Sequence, residues 1–80
     1  MLLTELANGT HATVQRVVAA SAEVDDATVR RLCELGFLPG EPVRLLRRGP
    51  GGREPLAVQI GDTLFALRLI EGQCIEVVAA

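Results

Sequence analysis

The stretch Leu32–Leu46, "LCELGFLPGEPVRLL", decides how this 80-residue chain is built. It begins with apolar residues at helical spacing and halts at Gly36. It then bends through Pro39–Gly40 and resumes as an apolar run carrying an arginine. Gly36 is a natural left-handed helix stop. Pro39 presets the following turn, and Gly40 lets it close. These three are structural turn residues. Phe37 and Leu38 flank the bend, and at least one is expected to plug the end of the fold. The other is a candidate apolar contact for a partner.

Upstream, "SAEVDDATVRRLCELG" (21–36) has the period of a helix. Asp25 or Asp26 can cap its start. Val29, Leu32, Cys33 and Leu35 form the apolar stripe, while Arg30, Arg31 and Glu34 face water. Before it, Ala12–Ala20 reads as a strand, with Ala12 and Val14 on one face and Thr13 and Gln15 on the other. Val17–Val18 break that alternation and predict a bulge near Arg16. Thr4 can cap one short turn, which Asn8–Gly9 would close.

Downstream, four segments alternate with period two: "PVRLLRRG" (42–49), "REPLAVQI" (53–60), "TLFALRLI" (63–70) and "CIEVVA" (74–79). Leu56, Val58 and Ile60 share one face, as do Phe65, Leu67 and Leu69. "EGQ" (71–73) fits a single 3-10 turn. The expectation is a mainly β fold: a small, partly open, five-stranded barrel with one short α-helix between strands 1 and 2, residues 1–80 forming one domain.

Composition agrees. Hydrophobic residues make up 49% of the chain, yet Phe37 and Phe65 are its only aromatics. A chain this short buries roughly 60–65% of its unfolded surface, so an aliphatic core must be efficient. The formal charge is −2, which speaks against nucleic-acid or anionic-lipid binding by net positive charge. No run approaches the roughly 18 apolar residues of a membrane span. "MLLTELANG" lacks the basic opening of a secretion signal, and Cys33 and Cys74 do not form a disulfide framework. A cytoplasmic location is expected.

"LCELGFLPGEPVRLL" followed by "GPGGREPLAVQIGDTLFALRLIEGQCIEV" resembles the ferrous iron transport protein A (FeoA) family. The likeness rests on Leu32, Leu35, Gly36, Phe37, Pro39 and Gly40 at the corner, then Pro55, then Ala66-Leu67-Arg68, then Ile75 and Val77. It runs from about Leu3 to Val78. It implies a stand-alone SH3-like barrel that works beside a membrane ferrous-iron transporter with a cytoplasmic GTPase domain (FeoB). It also implies kinship with the C-terminal domain of metal-dependent repressors.

All eight basic residues are arginine, which suits planar contacts with carboxylates. Arg44, Arg47 and Arg48 lie on the second strand and Arg53 stands beyond the glycine-rich turn, with only Glu41 and Glu54 nearby. A solvated face explains such a cluster; so does an edge that meets an acidic partner. Arg68 is expected to contact a carboxylate such as Glu71.

A closed metal site is not legible: the chain has one histidine, His11, and the two cysteines lack ligand spacing. His11 could hold Fe²⁺ or Zn²⁺ weakly with water, an anion or a second chain, which leaves open a metal-bridged homodimer. No cofactor is required. "GPGGRE" lacks the lysine and Ser/Thr of a P-loop, and no catalytic constellation stands out. Proline-rich peptide recognition needs an aromatic-lined groove that two phenylalanines do not provide. What the resemblance implies is an accessory regulator of ferrous iron uptake that binds the FeoB-type transporter. The alternative is a transition-metal carrier or sensor domain.

Overall fold

The computed structural model describes residues 1–80. Its strands are β1 His11–Val17, β2 Pro42–Arg48, β3 Leu56–Ile60, β4 Thr63–Leu67 and β5 Ile75–Ala79. Helix α1, Asp26–Glu34, lies between β1 and β2, and a single helical turn α2, Leu69–Gly72, lies between β4 and β5. Two 3-10 turns occupy Leu3–Glu5 and Pro50–Gly52. Every pairing is antiparallel, in the order β4-β3-β2-β1-β5. The ladder curls into a barrel without closing, since β4 and β5 do not pair.

The corner from α1 into β2 is built from two interlocking devices. Asp25 starts α1: its carboxylate accepts from the Thr28 backbone N–H at 2.9 Å and from the Thr28 hydroxyl at 2.7 Å. At the other end Gly36 adopts φ +115°. The Gly36 N–H then reaches Cys33 O at 3.0 Å and the Phe37 N–H reaches Leu32 O at 3.2 Å, the paired bonds of a Schellman stop. Leu32 and Phe37, the two residues whose side chains meet in that motif, are both fully buried. Next, Glu41 N–H bonds Leu38 O at 3.0 Å around Pro39 and Gly40, with Gly40 at φ +90°, the arrangement of a type II turn. Bonds from Gly40 N–H to Val14 O and from Val14 N–H to Glu41 O tie the bend to β1.

Inward alternation supplies the core. Ala12 and Val14, Val43 and Leu45, Leu56, Val58 and Ile60, and Ile75 and Val77 are buried on the concave face. Leu3, Leu6, Leu32 and Phe37 close its mouths, and the Phe37 and Phe65 ring centroids lie 5.9 Å apart.

Three strand boundaries differ from the sequence reading by three residues each, while β2 and β5 are each one residue shorter. β1 stops at Val17 and not Ala20, although its bulge falls where expected, between Val14 and Arg16. β3 begins at Leu56 and not Arg53, because Pro50–Gly52 forms a 3-10 turn. β4 ends at Leu67, which places Leu69 in α2 and replaces the 3-10 turn anticipated at 71–73. The cause is Glu71, whose buried carboxylate accepts the Arg68 N–H at 2.8 Å and so starts a helical turn. Arg68 Nε lies 3.7 Å from that carboxylate, as its spacing suggested. Arg31 of α1 makes a second, closer ion pair with it that the sequence reading had placed in solvent.

Candidate functional site

β2 carries a second bulge, and it sorts the arginines. Leu45 pairs with Val58 and Arg47 with Ala57, leaving Leu46 as an extra residue. Without that insertion, strict alternation would put Arg47 on the inner face with Val43 and Leu45. With it, Arg47 turns outward and is exposed. Arg48 goes the other way. Its guanidinium is half-buried and donates to the backbone carbonyls of Thr4 and Leu6, the latter at 2.9 Å, which fastens the N-terminal 3-10 turn to β2. Arg48 is therefore a clamp within the fold and not a free cation, a correction to its expected place in the partner-binding set.

Two cross-strand rows make up the outer face. One runs Arg47–Ala57–Ala66 and the other His11–Arg44–Gln59–Leu64. The first row lies in an open trough of about 630 Å³ lined by Arg47, Arg48, Gly49, Pro50, Pro55, Ala57 and Ala66. Gly49 is required there: a Cβ would sit 2.4 Å from the Glu54 carbonyl oxygen. A smaller recess of about 170 Å³ gathers His11, Arg44 and Gln59 along the second row.

The charges on this face are unbalanced. Arg47 has no hydrogen-bond or ion-pair partner, and Arg44 makes only a long contact, 3.4 Å, to Gly9 O; Arg53, exposed in the loop before β3, is likewise unpaired. The ion pairs present, Arg16–Glu76, Arg31–Glu71 and Arg68–Glu71, all lie elsewhere. Glu54, one of two acids expected nearby, turns its carboxylate to the Leu69 N–H at 2.8 Å.

The corner places its two apolar residues as differently as it does the arginines. Phe37 is fully buried, whereas Leu38 is 46% exposed. Phe37 thus cannot touch a partner, and Leu38 can. The sequence reading missed Leu64, 64% exposed, and the alanines beside it. The signal was available in "TLFAL", since Phe65 and Leu67 facing inward force Leu64 and Ala66 outward.

The side chains able to hold a metal are scattered. His11 is exposed on β1 opposite Arg44, Cys33 is half-buried on α1, and Cys74 is buried with its thiol against the Ile70 carbonyl. No three His, Cys, Asp or Glu side chains converge. A transition metal therefore finds no fitting ligand set in one copy.

A family model for the FeoA domain matches residues 1–79. The chain belongs to the FeoA family. Among solved structures it is 49% identical to Stenotrophomonas maltophilia FeoA complexed with zinc, over 96% of this chain and 88% of that one, with a TM-score of 0.84. That protein is described as an SH3 domain protein and a candidate activating factor of bacterial ferrous iron transport. The Chlorobium tepidum FeoA protein is 34% identical over 99% of this chain and 70% of that one, at TM-score 0.83. A manganese-dependent transcriptional repressor, 22% identical over 41% of its own chain, shares the fold at TM-score 0.81. No curated protein matches the sequence. The fold is accordingly the SH3-like barrel of FeoA proteins.

Proposed function

We propose that this FeoA-family chain is a non-enzymatic accessory factor of ferrous iron transport that docks on the cytoplasmic, GTPase-bearing part of a FeoB-type transporter and biases its activity. Family membership and the description of the S. maltophilia relative support the role in ferrous iron transport. One observation carries the docking step: Arg44 and Arg47 face outward on a sheet face where no carboxylate pairs with them, Arg47 lining an open trough, and unpaired Arg53 is exposed in the loop before β3. Leu38, held out by the corner, adds an apolar anchor. An effect on transport follows only if docking favours one transporter state over another, because equal affinity shifts no equilibrium. No helix is long and apolar enough to cross a membrane.

The test is calorimetric titration against the transporter's cytosolic domain, with and without guanine nucleotide. Arg47→Glu with Arg53→Glu should weaken binding about tenfold or more, and raising the salt should weaken the wild type in the same sense. Binding that ignores both the charge reversal and the salt would eliminate the arginine surface.

A further inference from the structure

The two ends of the ladder are finished differently. The outer edge of β5 is covered: Val77 N–H bonds Met1 O at 2.8 Å, the Met1 amino group returns to Val77 O at 3.2 Å, and Leu2 bridges Glu76. The outer edge of β4 has nothing on it. Thr63–Leu67 pairs only with β3, and no backbone bond from any other segment reaches it. Edges left open in proteins are usually guarded by a charge, a proline or a bulge. "TLFAL" has no charge and no proline, and its register with β3 runs unbroken through five pairs. Such an edge is ready to receive another strand.

The outer face specifies what that strand must carry. Beyond Ala66, a sixth strand would continue the row Arg47–Ala57–Ala66; beyond Leu64, two residues along, it would continue the row that ends in that exposed leucine. Nothing taller than a methyl stands between Arg47 and the sixth position. The span from β2 is three strand spacings, roughly 14 Å. An extended Arg of roughly 7 Å and an extended Glu of roughly 5 Å, joined by a hydrogen bond of about 2.9 Å, cover it. We propose that the free edge of β4 takes up an extended acidic segment of a partner as a sixth antiparallel or parallel strand, with a carboxylate reaching Arg47 over Ala66 and Ala57 and an apolar side chain two residues away resting on Leu64. A second copy is a poorer occupant. Self-pairing centred on Phe65 would set Leu64 of one copy beside Ala66 of the other and bring no carboxylate to Arg47.

This deepens the proposed docking and rests on it for the identity of the partner, but its test needs no transporter. The probe is a blocked nonapeptide, Thr-Glu-Thr-Val-Thr-Glu-Thr-Val-Thr, titrated into the ¹⁵N-labelled protein. Saturable shifts should map to Thr63–Leu67 and to Arg47, and amide exchange along β4 should slow about tenfold or more. Arg47→Glu, or glutamine for glutamate in the peptide, should weaken binding about tenfold. Arg47→Gln serves as the milder variant. A peptide N-methylated at alternate amides cannot complete the ladder and should not bind. Shifts confined to other segments, equal binding of the N-methylated peptide, or insensitivity to Arg47 would overturn the proposal. So would a dimer of the free protein with the β4 amides already protected, which would make the occupant a second copy. If the transporter domain binds as proposed above while the peptide does not, strand addition alone is lost. If the peptide binds and the transporter domain does not, strand addition stands and the partner is another protein.

Discussion

Arg47 and Arg48 are neighbours in the chain and opposites in use, and a single extra residue separates their roles. The bulge at Leu46 sends one guanidinium to solvent over Ala57 and the other to the carbonyls of Thr4 and Leu6. Charge-assisted hydrogen bonds to carbonyls contribute about 1.5–3 kcal/mol each when buried, and less at a half-exposed site. Arg48→Met should therefore destabilise the fold by about 2 kcal/mol in urea titrations, whereas Arg47→Met should stay within about 0.5 kcal/mol. Equal effects would mean that the clamp contributes nothing. Asp25 carries a second residue-scale prediction. The Thr28 hydroxyl first, then the Thr28 backbone N–H, hold its carboxyl below the ordinary value for aspartate. A lowered folded-state pKa means the stabilisation is complete above the unfolded value and fades as pH falls through the folded one. Asp25→Asn keeps an acceptor at the cap but removes the titration. The stability advantage of wild type over that variant should shrink as the pH is taken from 7 to 2. A difference that does not change with pH would refute the assignment. Neither bulge position nor clamp could be read from "PVRLLRR" alone. Period-two alternation predicts the strand but is silent on an insertion, and the partners of Arg48 lie more than forty residues away.

At the scale of elements, the corner was the most legible part of the chain because its signals are local. Gly36, Pro39 and Gly40 each do what their backbone chemistry favours within five residues, and Asp25 is answered by Thr28 three residues on. The helix end, by contrast, is joined to α2 through Arg31 and Glu71, forty positions apart, and no local pattern announces that pair. The same distinction explains why β4 was drawn too long: "TLFALRLI" keeps its alternation to Ile70, and only the Glu71 carboxylate turns it into a helix. The corner also makes a sharp prediction. Phe37 fills the barrel mouth beside Leu32 and Phe65, and Phe37→Ala should cost about 3–5 kcal/mol by cavity formation. Leu38→Ser, one residue on, should leave stability within about 0.5 kcal/mol and instead weaken binding to the transporter domain. Chemical denaturation of the two variants settles the first part. If Leu38→Ser unfolds the protein as readily as Phe37→Ala, the division of labour at the corner is wrong.

Taken as a whole, the molecule keeps its metal-ligating side chains apart. β1 and β5 pair antiparallel, with Ala12 against Ala79 and Val17 against Ile75. His11 is thus at one end of that ladder and Cys74, whose carbonyl accepts the Val18 N–H, is at the other. Seven residues of strand put them roughly 20 Å apart. Cys33 belongs to α1, outside the ladder altogether. Bringing His11 and Cys74 onto one ion would require the ladder to break. His11 also faces Arg44 across β1 and β2, so a cation approaching the imidazole meets a positive neighbour. A lone exposed histidine in that setting offers one ligand where a closed zinc site uses four; S. maltophilia FeoA, by contrast, was solved with zinc. Titrating dilute protein with Zn²⁺ should accordingly give no saturable one-to-one isotherm, and His11→Ala should leave the heat trace unchanged. Any zinc response that does arise should grow with protein concentration, because the missing ligands must come from another copy. A one-to-one isotherm at low protein concentration that vanishes in His11→Ala would restore the metal-carrier reading and demote the arginine face to a solvated surface.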